Sequence, residues 1–87
     1  MKYKTMHGVI MTQICGTHFI VTPEKTMQIN ETAAFCWKQM EQGVDEEELC
    51  QRMQEAFDIE DPELLRSDIR SLTESMYVNH LLVRYGQ

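Results

Sequence analysis

The strongest constraint on this chain is a strand-like segment that runs into a capped helix with no linker between them. Residues 26–29 alternate polar and apolar side chains, as a strand with one buried face does. Asn30 follows at once, where its side chain can accept a hydrogen bond from the first helical turn, and Glu31 adds a carboxylate at the positive end of the helix dipole. The strand must therefore lie beside the helix it precedes.

Two further strands are predicted before this one. Residues 9–14 and 19–22 are rich in β-branched and aromatic side chains, and between them Gly16 can supply the positive φ that a hairpin turn needs. Pro23 then favours a type I turn into the third predicted strand, 26–29. Met27 and Ile29 are expected to face inward.

Three helices are predicted after the strands. The first contains Trp37 on its apolar face and ends at Gly43; the second begins at Asp45, which forms a capping box with Glu48. Its expected buried stripe is Leu49, Met53 and Phe57, with Cys50 alongside.

The third helix begins with Asp61 and Pro62, and Asn79 is the expected left-handed terminator. Residues 81–83 are expected to pack back on the body. The fold class is therefore α+β, three antiparallel strands followed by three helices.

Length and composition favour one small cytoplasmic domain. The chain has 87 residues, 43% of them hydrophobic, and the apolar runs in its N-terminal third are too short for a signal peptide or a membrane span. Three cysteines without a C-x-x-C pair indicate reduced, mostly buried thiols. Residues 1–7 are expected to be frayed and residues 84–87 to form a tail.

No residue pattern indicates catalysis, a metal or a cofactor. Cys15 and His18 have half of a zinc spacing, but no second pair follows, and His7 falls in the segment expected to be frayed. Cys36 lies on an apolar helix face without a cation to lower its pKa, so it is interpreted as core. The sequence therefore predicts a protein that is not an enzyme, with no catalytic residues, metal ligands or cofactors.

Charge argues against nucleic acid as the partner. Residues 31–87 carry thirteen acidic and five basic side chains, whereas residues 1–30 carry three lysines and one glutamate. The helical half could form a helix-turn-helix, but Arg66 and Arg70 are the only basic residues on the exposed face of the third helix. A winged-helix DNA-binding regulator is therefore kept only as an alternative.

The open edge of the sheet is the remaining candidate site. Thr26, Met27, Gln28 and Ile29 include no charge and no proline, so this strand could accept a further strand. On the third helix, a stripe next to the core positions could flank that edge or could be a solvated face paired with Glu63 and Glu74; it comprises Arg66, Arg70, Thr73 and Tyr77. The residues alone leave both interpretations open.

Over about residues 8–83 the sequence resembles the PqqD-like proteins, also called RiPP recognition elements. Residues 29–34 followed by Trp37 look like the family's Leu-Asn-Glu-Thr-Ala segment with its helix-one tryptophan. Supporting segments occur in the same order and spacing: 21–25, 45–49, Phe57 with 61–63, Asp68 and Ile69 with Leu72, Met76 and 81–82.

The resemblance implies a small winged-helix-like domain that binds the leader of a ribosomally made precursor peptide and presents it to a modifying enzyme. That enzyme would be of the radical SAM or leader peptidase type. In the family the leader pairs with the third strand beside the third helix, which here implies a site of Thr26, Met27, Gln28, Ile29, Arg66, Ile69, Arg70, Thr73 and Tyr77. The arginines would favour an acidic leader.

The chain departs from the family pattern at three positions. His80 replaces the usual glycine after the third helix, Cys36 replaces a larger aliphatic residue, and Tyr77 is bulkier than expected. His80 and Tyr77 bear on the shape of the groove. A monomer and a dimer that swaps strands through the same open edge are both compatible with the sequence.

Overall fold

Two small antiparallel sheets and three helices make up the fold in a computed structural model that describes residues 1–86. The strands are β1 (Lys2–Thr5), β2 (Ile10–Ile14), β3 (Thr17–Val21), β4 (Thr26–Ile29), β5 (Val44–Asp45) and β6 (Leu82–Tyr85). The helices are α1 (Glu31–Met40), α2 (Glu46–Ala56) and α3 (Pro62–Val78). The mixed α+β class, with antiparallel strands and three helices, is confirmed.

The three predicted strands form one sheet in the order β2, β3, β4. Ile14 pairs with Thr17, and the two residues between them, Cys15 and Gly16, have φ values of 51° and 82°. Positive φ at both central residues defines the type of turn that matches the twist of a two-residue hairpin. The prediction that Gly16 makes this turn possible is confirmed.

The structure corrects the expectation that residues 1–7 are frayed. β1 lies between β5 and β6 in a second sheet, where Tyr3 pairs with Val44 on one side and with Arg84 on the other. Tyr3 is buried in the core, which secures the strand. The expected tail also differs, because residues 84 and 85 belong to β6; Gln87 lies outside the described residues.

The core forms where α1 packs over the other elements. Trp37, Met40 and Cys36 of α1 are completely buried, as are Ile20 of β3 and Leu49 of α2. Phe57, predicted to belong to the buried stripe of α2, is 38% exposed, because the chain leaves the helical path there and its ring packs edge-on against Phe35 at the surface. The apolar spacing therefore located the buried face of α2 but extended it one residue too far.

Helix ends follow local signals, with one shift. Asp45 and Glu48 form the predicted capping box, and Gly43 has a φ of 83° after α1. A Cβ on Gly43 would also collide with the hydroxyl oxygen of Tyr85 in β6. The left-handed residue after α3 is His80, with a φ of 63°, and not Asn79, which has a φ of −87°.

The end of α3 is a Schellman motif, and this explains the shift. The amide of Leu81 donates to the carbonyl of Met76 at 2.9 Å, and the amide of His80 donates to the carbonyl of Tyr77 at 3.0 Å. This pattern requires the positive φ one position after the helix cap. Leu81 and Leu82 are then buried, which confirms that residues 81–83 pack back on the body.

The cap of α1 generates a stability prediction. The Asn30 side-chain oxygen accepts a hydrogen bond from the amide of Ala33 at 2.8 Å. Asn30→Ala removes this acceptor and should lower the free energy of unfolding by about 1 kcal/mol. Urea denaturation followed by circular dichroism measures the change. Asn30→Ser retains an acceptor and is the control; equal losses in the two variants would show that the cap is not the cause.

Candidate functional site

Within residues 1–86, both outer strands of the β2, β3, β4 sheet have an unpaired edge, and the edge of β4 is the one that lies beside α3. β4 pairs with β3 through four residue pairs, from Val21 with Thr26 to His18 with Ile29. Within residues 1–86, no strand lies on the other side of β4. This edge carries no charged side chain and no proline that would block a further strand.

The hydrogen-bond pattern shows which backbone groups of β4 point outward. The amide of Thr22 donates to the carbonyl of Lys25 at 2.8 Å, so these two residues form a hydrogen-bonded pair. Bonded and non-bonded pairs alternate along an antiparallel ladder. Continuing the register assigns Met27 and Ile29 to bonded pairs with β3. The N–H and C=O groups of Thr26 and Gln28 therefore point toward the open edge.

The side chains of β4 alternate between the core and the solvent. Met27 and Ile29 are half-buried and pack against the core, whereas Thr26 and Gln28 are exposed. The inward orientation expected for Met27 and Ile29 is confirmed. β4 thus has a fixed inner face and an unpaired outer row of backbone donors and acceptors.

A groove lies beside the end of this edge. It has a volume of about 520 Å³ and extends between β4, the first turn of α1 and one flank of α3. Its apolar wall includes Ile29, Ala33 and Leu72, of which Leu72 is half-buried against the core. Its polar lining consists of Gln28, Asn30, Thr32 and Asp68. The groove is therefore large enough for one or two side chains of an extended peptide.

The structure corrects the expectation that the arginine stripe of α3 borders this groove. Arg70 donates two hydrogen bonds to Glu46 at the start of α2, at 3.0 and 3.2 Å. Both Arg66 and Arg70 lie close enough to Cys50 of α2 to act on the pKa of its thiol. The two arginines thus lie on the α2 side of α3, opposite the flank that carries Asp68 and Leu72.

The other predicted helix residues are also engaged elsewhere. Ile69 and Thr73 are 2% and 0% exposed, and the Thr73 hydroxyl donates to the carbonyl of Arg70. The Tyr77 ring lies 3.9 Å from the guanidinium carbon of Arg84 in β6. The alternative in which Arg70 pairs with Glu74 does not hold, because Arg70 pairs with Glu46 and Glu74 forms an ion pair with Arg84.

Asn30, Thr32 and Ala33 at the start of α1 line the groove and are missing from the predicted site, as are two further residues, Asp68 and Leu72. Both lie on α3, and the spacing of Leu72 fits the buried core face of that helix. A helical stripe has two flanks, and periodicity does not show which neighbour each flank meets. The β4 residues, by contrast, could be identified from the absence of charge and proline.

The candidate metal ligands are not brought together. Among the described residues, no group of three or more His, Cys, Asp or Glu side chains could hold a metal ion. Cys15 is exposed in the hairpin turn.

No helix in the described part of the chain has the length and apolar character that crossing a membrane requires.

The two buried thiols have raised pKa values. Burial raises the pKa of Cys36 from its ordinary 9.0 to about 11, with a smaller contribution from Cys50. Burial also raises the pKa of Cys50, opposed by the positive charges of Arg66 and Arg70. A nucleophilic cysteine needs the opposite shift, so these groups match the interpretation of Cys36 as part of the core.

This shift predicts an alkaline loss of stability. The folded Cys36 thiol keeps its proton up to about pH 11, whereas the unfolded thiol ionises near pH 9. The free energy of unfolding should therefore fall as pH rises from about 9 to 11, by roughly 2 kcal/mol at most from this group. Urea denaturation across this range, compared with Cys36→Val, measures it. Identical pH dependence in both proteins would contradict the assignment.

Comparison with known proteins places the chain in a family. Its fold matches TbiB1 in complex with the TbiA(beta) leader peptide, with a TM-score of 0.80, 16% identity and coverage of 97% of this chain and 99% of that one. Lasso peptide synthetase B1 complexed with the leader peptide gives 0.78 and 17%, over 94% and 98%.

A third match is the solution NMR structure of the PqqD truncation of Methylobacterium extorquens PqqCD, a stand-alone RiPP recognition element. Its TM-score is 0.81 at 19% identity, over 95% of this chain and 89% of that one. No curated protein matches the chain significantly. The family model described as coenzyme PQQ synthesis protein D matches residues 17–82, and the chain therefore belongs to the PqqD family.

Proposed function

We propose that this protein binds the leader segment of a ribosomally made precursor peptide by strand addition to β4 and presents it to a modifying enzyme. The observation that carries the proposal is the unpaired outer row of N–H and C=O groups on Thr26 and Gln28. Membership of the PqqD family supports it, as do two proteins of the same fold whose structures contain a leader peptide.

The binding mechanism follows from the geometry of the edge. An extended peptide beside β4 would exchange backbone hydrogen bonds with Thr26 and Gln28. These bonds contribute affinity that does not depend on the peptide's side chains. Alternate side chains of that peptide would point toward the core side, where Ile29 and Leu72 form an apolar wall. One apolar anchor in the groove would offset part of the entropy that a disordered leader loses on binding.

The protein's role would be recognition without catalysis. A leader held on β4 leaves the rest of the precursor free to enter the active site of a separate enzyme. A radical SAM protein or a leader peptidase is the proposed partner class. The surface that such an enzyme would contact is separate from the leader groove in this proposal.

The alternatives are less well supported by the charges and contacts. DNA binding would rely on the exposed arginines of α3, but Arg70 is already paired with Glu46. A dimer that pairs two β4 edges would use the same backbone groups as the leader. Light scattering over a range of protein concentrations, with and without peptide, separates a monomer from such a dimer.

Gln28→Pro is the sharpest test of strand addition. Its amide points toward the open edge, so proline there should leave the β3 to β4 ladder intact while it removes a donor to the incoming strand and places a ring in its path. The probe is a labelled synthetic leader of the precursor encoded beside this gene. Fluorescence anisotropy should show a loss of affinity of at least about tenfold.

Gln28→Ala is the matched control because it removes the same side chain and keeps the amide. Gln28→Ala should bind the leader more tightly than Gln28→Pro, because its amide can still donate to the incoming strand. Urea denaturation of both variants checks that the fold is retained. Equal affinities of the proline and alanine variants would overturn strand addition to β4.

A further inference from the structure

The charge of the groove is opposite to the charge that the sequence suggested. Asp68 is the one charged residue among those lining the groove beside β4. It is exposed, and within residues 1–86 it forms no ion pair and no side-chain hydrogen bond. Arg66 and Arg70, which were expected to attract an acidic leader, lie on the other flank of α3 near α2.

A second cavity shares one lining residue, Asp68, with the groove. It has a volume of about 320 Å³ and lies between the segment after α2 and the first turns of α3. Its apolar lining is Ile59, Leu64 and Leu65, and its polar lining adds further carboxylates without any basic residue; these are Asp58, Glu60 and Asp61. Leu64 is 58% exposed. The two cavities, which share Asp68, are together called the channel, and all of the charged residues that line it are acidic.

We propose that this channel selects leader peptides that carry a lysine or arginine next to an apolar anchor. The inference rests on the proposed strand addition and adds the charge class of the ligand. A peptide leaving β4 beside Ile29 meets Asp68 first and then the carboxylates of the second cavity. Its apolar side chain would cover Leu72 or Ile59, and its cationic side chain would pair with Asp68.

A cationic peptide is the expected occupant because its charge is opposite to that of the carboxylates that line the channel. Asp61 already accepts hydrogen bonds from the amides of Glu63 and Leu64. Asp58, Glu60 and Asp68 form no ion pair within residues 1–86, so an acidic peptide side chain near them would be unfavourable. A lysine or arginine stem can instead cover apolar surface and keep its charge in water. Because Asp68 is exposed, each pair would change affinity by only about 1.5- to 5-fold and would weaken with salt. Several carboxylates in the channel would add a consistent preference.

A random dodecapeptide library displayed on yeast tests this preference and does not require the sequence of the precursor. The full-length protein is the selecting agent, and sequencing gives the composition of the bound peptides. We expect an excess of Lys and Arg over Asp and Glu relative to the unselected library. Asp68→Lys should abolish or reverse that excess, and Asp68→Asn should weaken a selected peptide about 1.5- to 5-fold.

Glu41→Lys is the matched control for overall charge. Glu41 is exposed at the far end of α1, about 15 Å from the turn that borders the groove. The variant Glu41→Lys changes the net charge by the same amount as Asp68→Lys and should leave the composition of the selected peptides unchanged. If both variants shifted the composition equally, net charge and not the channel would be responsible.

The variant Gln28→Pro distinguishes a failure of the charge preference from a failure of strand addition to β4. Peptides that depend on Gln28 yet show no excess of Lys and Arg would overturn the charge preference alone. Peptides that bind Gln28→Pro and the unaltered protein with equal affinity would overturn strand addition. A selection that enriches no peptide would contradict both.

Discussion

The direct passage from β4 into α1 is the constraint on which the rest of the structure depends. Ile29 is the last residue of the strand and Glu31 the first of the helix, so Asn30 alone connects them and also caps the helix. α1 is held by Trp37, which is completely buried. β4 therefore cannot slide without disturbing the core, and the packing of α1 fixes the position of the open edge.

Local signals predicted much of the fold, and distant pairings were missed. Caps, turns and apolar periods act within a few residues, which is why the hairpin, β4 and all three helices could be predicted. β1 and β6 pair Lys2 with Tyr85, residues at opposite ends of the chain, and β5 has only two residues. None of these three strands has a strong strand pattern in its own sequence. Each is stabilised by its partner strand and by buried residues such as Tyr3.

The candidate site was predictable on its strand side and not on its helix side. An edge without charge or proline is visible in the sequence, because blocking groups would have to be present in the strand itself. The helix side depends on how α3 is rotated against its neighbours. Its core stripe has Arg66 and Arg70 on one flank and Asp68 and Leu72 on the other. Burial of Leu65, Ile69 and Met76 holds the helix in this rotation, in which Arg70 meets Glu46 of α2. The charge of the groove follows from that rotation.

Amide hydrogen exchange measured by NMR tests strand addition to β4 most directly. In the free protein the amides of Thr26 and Gln28 should exchange faster than those of Met27 and Ile29, since only the latter donate to β3. A saturating leader peptide should slow exchange at Thr26 and Gln28, because their outward N–H groups would then be hydrogen-bonded. Exchange at Thr26 and Gln28 that stays fast in the complex would contradict the account.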